Sequence, residues 1–533
     1  MTVVVRRKKL NLLGLCRLFM QEKMPMPKYY IHAEAFNLNH VVYDTHDIST
    51  IRGGSFILLD AIKYLPKRLE RLESIATAAS KGVFSYEDPG DLAAQRTGMV
   101  QQVLRNLHDT TGGHAFFLVA VEEDIPDDFT MVLDRLEAEV RRQQWRMPTV
   151  VVPSFIATDQ ECYFDGWRPG VYTIEPRATG NKISEATYYR RRRGRELKRA
   201  LFRELFGGER SEDDLCAKDL GRLAAHPAKG ILDGKIAFIH VDGNSFGRIR
   251  MAKCINQPTR KAFDELIQGC RLHFLANLRE AAYAEPDFCV PSSTGKDEMR
   301  LEVLLWGGDE FDLVVPAWKG LEVLERFYQI VDGLTFEGVP MTHRAAIIFC
   351  HHNAPILQIR RLADKLLGLT KKNITKKFKS ALATDPAISS LASEDRAQQI
   401  EWLSNSKYGN AAQYLVLESF DMLRGSLEQF LKRYYNKADT CDMLLYGHEM
   451  SELRDNLHTI CAAAPKGRVV EVAQAMSKGD VARANELRER LTDSVAPDQR
   501  DAVLAAINAL TKGNNAGWYL LADLWDYVEE WKA

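Results

Sequence analysis

An internal repeat constrains the fold more than any other feature. One segment opens with YYIHAEAFNLN at 29–39 and another with AFIHVDGNSFG at 237–247. Both begin as a short apolar strand that ends in Ile-His, one small apolar residue and an acid, Glu34 or Asp242. Helical spacing of apolar residues follows each strand. Because three such landmarks recur in the same order, we infer a duplicated domain.

The second landmark is a Gly-Gly pair followed by an apolar strand, GGHAFFLVAV at 112–121 and GGDEFDLVVP at 307–316. We interpret each pair as the turn of a β-hairpin. A helix and a further strand are predicted after each pair, at 128–143 and 149–156 in the first copy and at 318–331 and 342–350 in the second. Both copies then have the order β-α-β-β-α-β of the ferredoxin-like fold, which places the chain in the α+β class.

At 533 residues the chain is too long for a single core, and its pattern divides it into five parts. The predicted parts are an N-terminal extension at 1–27, a first, degenerate repeat domain at 28–157, a basic helical linker region at 158–234, a second repeat domain at 235–375 and a helical C-terminal domain at 376–533. The extension is expected to be flexible, or to precede a true start at Met24 or Met26. In the last part, a polar linker at 376–406 and amphipathic helices at 411–435, 440–462, 465–491 and 498–531 predict a bundle.

Charge and cysteine content exclude several classes. The balance of 71 basic and 72 acidic residues argues against indiscriminate coating of nucleic acid. A local basic patch at Arg190–Arg193 is still compatible with this balance. These four arginines spread around all faces of a helix, so they are either a solvated face or a polyanion contact.

Nine cysteines without a C-x-x-C pair fit reduced thiols and a cytoplasmic protein. Since no run reaches about 18 apolar residues, no membrane partner is expected.

Three acids of the second copy indicate chemistry. Asp242 ends the opening strand, and Asp309 and Glu310 occupy the hairpin turn. In a ferredoxin-like sheet these strands are neighbours, so the three carboxylates are expected to meet at one edge. Such crowding is unfavourable unless a cation neutralises it. Mg²⁺ or Mn²⁺ with a substrate phosphate is the usual solution.

Four glycines and a lysine extend this hypothesis. Gly243, Gly247, Gly307 and Gly308 allow the backbone N–H groups to approach a triphosphate, and Lys371 offers a point charge. Each feature alone also fits ordinary turn chemistry or a solvated lysine. The three acids together favour a metal and a nucleotide.

These residues resemble a known family. GGDEF at 307–311 is the name motif of diguanylate cyclases, but the whole arrangement resembles the large polymerase/cyclase-like subunit of type III CRISPR effector complexes and the stand-alone CRISPR polymerases. The similar stretches are STIRGGSFILLDAI at 49–62, IHVDGNSFGRI at 239–249 and AAIIFCHHNAPILQIRRLADKLLGLTKK at 345–372. That family has two palm domains in one chain, and its first palm is usually degenerate.

The resemblance implies a role for each matched residue. In the second palm, Asp242, Asp309 and Glu310 would be catalytic metal ligands, and the nucleotide would contact Gly243, Asn244, Gly247, Gly307, Gly308 and Lys371. The first palm would provide a partner surface and hold a second nucleotide, through Arg52, Ser55, Gly112 and Gly113. There, His114 and Ala115 are aligned with the two hairpin acids.

The chain also departs from this family. Glu310 replaces the usual second aspartate, ECYFDGWRPG at 161–170 keeps only Cys162 of a zinc ribbon, and the isolated THD at 45–47 is interpreted as surface chemistry rather than a nuclease motif.

The leading functional hypothesis is a Mg²⁺-dependent nucleotidyl cyclase that makes a cyclic oligonucleotide signal for antiviral defence. Its substrate would be an NTP, with ATP favoured, and pyrophosphate would leave. Expected partners are guide or target RNA, CRISPR-type subunits and a downstream cyclic-nucleotide effector. Two alternatives stay open: a diguanylate cyclase, in which Asn244 would contact guanine, and a non-catalytic RNA-binding subunit.

Overall fold

The computed structural model describes residues 26–146, 160–174, 180–206, 215–291, 297–382, 408–419, 425–435, 443–511, 516–528 and 531. The predicted N-terminal extension up to 25, the strand at 149–156 and most of the 376–406 linker therefore lie outside the described residues.

The strands are β1 (Lys28–Phe36), β2 (Glu73–Thr77), β3 (Lys81–Glu87), β4 (Phe116–Glu123), β5 (Tyr172–Thr173), β6 (Lys182–Ile183), β7 (Leu215–Cys216), β8 (Lys235–Gly243), β9 (Cys289–Val290), β10 (Glu298–Met299), β11 (Glu302–Trp306), β12 (Phe311–Pro316), β13 (Thr335–Phe336), β14 (Val339–Pro340), β15 (His343–His351), β16 (Ala411–Val416) and β17 (Leu444–Tyr446).

The α-helices are α1 (Ile48–Lys63), α2 (Leu65–Arg68), α3 (Leu92–Thr111), α4 (Phe129–Arg146), α5 (Glu185–Phe206), α6 (Leu220–Ala224), α7 (Phe246–Lys253), α8 (Gln257–Ala284), α9 (Gly320–Val331), α10 (Ile356–Leu382), α11 (Leu427–Tyr434), α12 (Met450–Ala463), α13 (Lys466–Ser477), α14 (Val481–Ser494), α15 (Arg500–Thr511) and α16 (Ala516–Val528).

The first palm is an antiparallel sheet with the strand order β2-β3-β1-β4. This is the ferredoxin-like order, so the predicted β-α-β-β-α-β fold is confirmed. The predicted position of the hairpin turn, at Gly112 and Gly113, is wrong. The hairpin is β2–β3, with its turn at Ala78–Ser80. Gly112 and Gly113 instead end helix α3, at φ values of 61° and 74°, where glycine is favoured because it has no Cβ.

The second palm repeats this order as β11-β12-β8-β15 and extends it with β16 and β17. Here the predicted hairpin is confirmed, with its turn at 307–310. The expectation that the chain is wholly helical after about 375 is wrong. Residues 411–416 form a strand parallel to β15, and 444–446 pair with that strand. Apolar runs of this length are ambiguous between strand and helix until a sheet edge accepts them.

Sheet register matches the two palms residue by residue. His32 pairs with Val83 on β3, and His240 pairs with Asp312 on β12. The two opening strands therefore superpose with Glu34 at the place of Asp242. Two residues before Val83 and Asp312 on the neighbouring strands, the same register puts Lys81 of the first palm at the place of Glu310.

Reciprocal contacts join the palms. Helix α8 of the second palm packs on strand β2 of the first, where Asp264 accepts from the Thr77 N–H at 3.0 Å. Helix α1 of the first palm packs on strand β11 of the second, where the buried Arg52 Nε donates to Glu302 at 2.6 Å. Since α1 and α8 are the long helices that precede the hairpins of the two palms, the same elements meet from both sides.

Helix α5 of the linker region packs tightly on α1. A Cβ at Gly53 would lie 1.8 Å from the Arg190 carbonyl oxygen, and one at Gly194 would lie 1.9 Å from that of Ser49. Only glycine permits these two backbones to approach so closely.

The same packing decides the arginine cluster. Arg190 is buried and bonds Asp44 at 2.7 Å, Arg191 pairs with Asp47 at 3.2 Å, and Arg193 with Asp60 at 2.6 Å. Neither predicted role, a solvated face or a polyanion contact, describes these three arginines, because acids of the first palm pair with them. Asp47 belongs to the THD triplet and also caps helix α1 by accepting from the Thr50 N–H.

Helices α12–α16 form the C-terminal helical region, which packs on the second palm. The buried carboxylate of Glu325, on α9, accepts from Arg454 at 2.7 Å and from the indole N–H of Trp531 at 2.7 Å. Among the described residues, no helix has the length and apolar character needed to cross a bilayer. The seven cysteines described are all free thiols.

Candidate nucleotide and metal site

The turn at 307–310 is held from both sides. The Gly307 N–H donates to the Glu310 carbonyl at 2.8 Å, and a Cβ on Gly307 would lie 2.7 Å from that oxygen. Arg271, buried on α8, donates to the Gly308 carbonyl at 2.6 Å and stacks over the Trp306 ring at 4.9 Å. The turn is therefore rigid, and glycine is required at its first position.

Asp242 and Asp309 lie together at the edge of the second palm. The Gly243 N–H donates to the Asp309 carbonyl at 3.1 Å, and a Cβ on Gly243 would lie 2.9 Å from the Asp309 Cβ. Burial and then the charge of Asp309 raise the pKa of Asp242, against the lowering effect of Arg344, 3.6 Å away, and of Lys371. The predicted meeting of strand end and turn is present for these two acids.

Glu310 points along the same sheet face toward helix α10. Its carboxylate forms an ion pair with Arg360, which also donates to Asp312 at 2.6 Å and pairs with Asp364. Burial, together with the charges of Asp312 and Asp242, raises the pKa of Glu310 to about 7 despite Arg360. In this arrangement a guanidinium, rather than an open cation site, faces the Glu310 carboxylate.

Two residues of this cluster were missed from the sequence. His240 Nδ1 lies 2.8 Å from Asp312, and both side chains are buried. Burial acts to lower the pKa of His240, but the charge and hydrogen bond of Asp312 raise it to about 9. Ligand atoms of His240, Glu310 and Asp312 lie within 4.8 Å of one another. The sequence did contain a signal for both residues: His240 and Asp312 are polar residues within otherwise apolar strands.

The remaining predicted nucleotide contacts divide into two groups. Gly247 and Gly308 line the cavity described below, and a Cβ at Gly247 would meet open space. Asn244 is buried, and its amide donates to Thr342 at 3.0 Å and to the Gly409 carbonyl at 2.8 Å. Both amide hydrogens are therefore used within the protein, whereas Lys371 is exposed on α10.

The residues expected on the first-palm surface are also dispersed. Arg52 meets the second palm through Glu302, while Ser55 is buried within α1. Gly112 and Gly113 lie at the end of α3, next to Tyr189 and His108 rather than the hairpin turn. The alignment of His114 and Ala115 with the hairpin acids is therefore wrong. In the first palm, the turn at 78–80 corresponds to the turn that carries Asp309 and Glu310.

The first palm presents the opposite charge at the matched edge. Glu34 has Lys81 as its strand partner and lies 3.5 Å from Arg141 on α4. Burial and then the charge of Arg250, from helix α7 of the second palm, lower the pKa of Lys81. Burial and nearby cations, Lys81 foremost, lower the pKa of His32 to about 3, so its ring is neutral.

A cavity of about 440 Å³ separates the two palms. Its lining carries both charges: the cations are Lys81, Arg141, Arg250 and Arg260, and the acids are Glu34, Asp134, Glu137, Asp264 and Asp309. Burial and then Arg250 lower the pKa of Arg260 to about 10. The buried Nε of Arg260 has no hydrogen-bond acceptor among the described residues. Crowded cations and an unused donor are features of an anion site.

Asp242 and Asp309 meet the chemical requirement for a hard divalent cation. Both offer carboxylate oxygens, and the charge of Asp309 contributes to the raised pKa of Asp242, an effect that a bound cation would offset. The acid pair and the cavity between the palms are contiguous through Asp309.

Comparison with known proteins was made by sequence and by structure. No family model matches the chain, and no curated protein matches its sequence. A crystal structure of Csm1 from T.onnurineus matches with a TM-score of 0.50 at 11% identity, over 95% of this chain and 70% of that chain.

Two Csm1–Csm4 cassettes match less well. The cassette in complex with cA4 has a TM-score of 0.46 at 12% identity, covering 97% of this chain and 71% of that one. The cassette in complex with AMPPNP also has a TM-score of 0.46, at 11% identity, covering 98% and 72%. These neighbours belong to type III CRISPR-Csm complexes. The chain shares with Csm1 an α+β fold of tandem palm domains with a helical C-terminal region.

Proposed function

We propose that this protein is a divalent-metal-dependent nucleotidyl cyclase or transferase that joins nucleoside triphosphates into a cyclic oligonucleotide, within a type III CRISPR-like defence system. The fold shared with Csm1 and the palm motifs of the sequence support this reading. ATP is the favoured substrate because of the resemblance, and the partners would be CRISPR-type subunits, guide or target RNA and an effector that binds the product.

One juxtaposition carries the proposal. The cavity between the palms holds Arg250, which lowers the pKa values of Lys81 and Arg260, and it opens onto Asp309, whose charge raises the pKa of Asp242. A triphosphate with a divalent cation neutralises both clusters at once. Neither cluster alone would distinguish a nucleotide from a simple ion.

In this proposal the side chains have separate tasks. Asp242 and Asp309 would hold Mg²⁺ or Mn²⁺, and the ion would supply charge neutralisation at the α-phosphate and favour ionisation of the attacking 3′-hydroxyl. Lys81, Arg250 and Arg260 bind phosphate oxygens. Lys371 approaches from helix α10, and Gly247 leaves space beside the first turn of α7. Glu310 joins the metal only if it exchanges its Arg360 partner.

Two alternatives receive less support. The diguanylate cyclase reading needs Asn244 for guanine, but both hydrogens of that amide are bonded inside the protein. The RNA-binding reading used the arginines at 190–193, of which three are paired with first-palm acids.

The test is incubation of the purified full chain with Mg²⁺ and each labelled NTP, with and without single-stranded RNA, followed by separation of products. We expect pyrophosphate release and a phosphodiester product, and a loss of about a thousandfold in Asp309→Ala. Asp332→Ala, at an exposed carboxylate of the same palm, is the matched control. Absence of NTP consumption under every condition contradicts the proposal.

A further inference from the structure

A second cavity, of about 270 Å³, lies beside the first palm and away from the acid pair. It opens where strand β1 ends and is covered by the linker segment 167–171 and the start of helix α5. The cavity has no part in the nucleotide chemistry proposed above, and the inference drawn from it does not rest on that proposal.

The second palm shows what normally occupies this corner. After the opening strands, Asn37 and Ser245 both adopt a left-handed conformation, at φ values of 57° and 58°. The backbone therefore leaves the sheet in the same way in both palms. In the second palm, α7 and the β13–β14 ribbon then fill the corner with a buried apolar cluster that includes Phe246, Phe336 and Met341. In the first palm the corresponding space is a cavity.

Flat rings form much of the cavity wall. Phe36 and Phe116 contribute from the sheet, His40 and His114 from the flanking loops, and Trp167 from the linker. The Trp167 indole meets the His40 ring edge-on at 5.7 Å, and the Arg168 guanidinium covers it at 4.1 Å. Aromatic walls of this kind favour a planar ligand that can stack on them.

The wall is fixed before any ligand arrives. Arg168 pairs with Asp44 and Asp165, and donates to the His40 carbonyl at 2.8 Å. Asp44 also bonds the buried Arg190 at 2.7 Å. The Arg168 charge is therefore used inside the protein, which leaves the tryptophan it supports as a preorganised surface.

An acid and an imidazole set the charge of this cavity. Glu185, in the first turn of α5, lines the opening and lies close enough to His114 for its charge to act on that ring. Burial lowers the pKa of His114, so the imidazole is neutral near pH 7. With the Arg168 charge paired inside the protein and the Glu185 carboxylate at the opening, the cavity favours a neutral ring with N–H donors over an anion.

We propose that this cavity binds a nucleobase, stacked on Trp167 and donating an N–H to the Glu185 carboxylate, with its sugar and phosphates directed outward. The shared chemistry is a planar nitrogen heterocycle with an amino or ring N–H group. The base can belong to a free nucleoside or nucleotide, or to the end of a single-stranded RNA, and the test separates the two sources.

Equilibrium dialysis tests the proposal with the full chain in EDTA, using labelled guanosine, adenosine and uridine in one arm and a short single-stranded RNA in the other. Nucleosides lack the phosphates that the inter-palm cavity would bind. We expect saturable binding in at least one arm that is unchanged in Asp309→Ala. Binding of a nucleoside identifies a free ligand, whereas binding of RNA alone identifies an RNA end.

Two variants with matched controls assign the site. Trp167→Leu and Glu185→Gln are each expected to weaken binding about tenfold, since stacking and a charge-assisted hydrogen bond are each lost. Tyr188→Leu and Glu196→Gln change an exposed aromatic ring and an exposed acid of the same helix outside the cavity, and should have no effect. Both test side chains are exposed at the cavity mouth, so thermal melting should be unchanged. No saturable binding in either arm, or binding insensitive to both test variants, overturns the proposal.

Discussion

The two palms share one strand order but carry opposite charges at the same sheet edge. At the end of the opening strand both have an acid, Glu34 or Asp242. On the neighbouring strand the first palm has Lys81 where the second has Glu310, and its hairpin turn at 78–80 has no counterpart of Asp309. One framework therefore gives an edge of mixed charge in the first palm and an acidic edge in the second. Because the two edges lie on either side of one cavity, the two copies of the fold can contribute different charges to the same site.

The largest effect should distinguish the two acids of the opening strands. Asp242→Asn removes half of the proposed metal pair, and we expect NTP turnover to fall by about a thousandfold. Glu34→Gln changes the matched residue beside Lys81 and Arg141, and should alter turnover by less than about tenfold because the hairpin turn next to it, at 78–80, carries no acid. Rates of pyrophosphate release measure both. Equal losses in the two variants would contradict the division between the palms.

The reciprocal interface gives the next largest effect. Arg52→Ala leaves the fully buried Glu302 with Lys198 as its remaining ion partner, at 2.7 Å. We expect the free energy of unfolding to fall by about 3 kcal/mol, as is usual when one member of a buried ion pair is removed. Urea denaturation measures it. Arg192→Ala, at an exposed arginine of α5, is the control and should cost less than about 0.5 kcal/mol.

The opposite side of that interface should respond to pH. Burial raises the pKa of Asp264 to about 6, although the Thr77 N–H and Arg260 favour its ionised form. The unfolded chain ionises this group at lower pH, so the folded state binds more protons between about pH 4 and 6. The free energy of unfolding should therefore decrease as pH rises through this window, by up to about 3 kcal/mol, and stay level above it.

Asp264→Asn should remove this pH dependence, since an amide oxygen can still accept from Thr77. Denaturation at pH 4.5 and 7 compares the variant with the parent protein. A pH slope that persists unchanged in the variant would assign the titration to another group.

The smallest effect concerns the anion edge of the first palm. Lys81→Ala removes a cation from the cavity, and we expect the KM for the NTP to rise about tenfold with kcat nearly unchanged, because the charge contributes to binding rather than to the reacting atoms. Lys261→Ala, an exposed lysine of helix α8, is the control. A loss confined to kcat would place Lys81 at the chemistry instead.

The sequence alone determined the duplication, the α+β class and the second-palm hairpin. Those features depend on local patterns: alternating apolar residues, a glycine turn and an acid at the end of a strand, all within a few residues of one another. For the same reason Asp242 and Asp309 could be paired in advance, since neighbouring strands in a known order bring their ends together.

Only the tertiary structure decided which Gly-Gly pair is a turn and which ends a helix, because both conformations use the freedom of glycine. It also decided that Arg190 is buried against Asp44, that Glu310 pairs with Arg360 and that Lys81 has the place of Glu310. Each of these depends on a partner far away in the chain. Tertiary packing determines which charged residues lie next to one another. The net charge of a site therefore cannot be predicted from the short stretch of sequence that contains it.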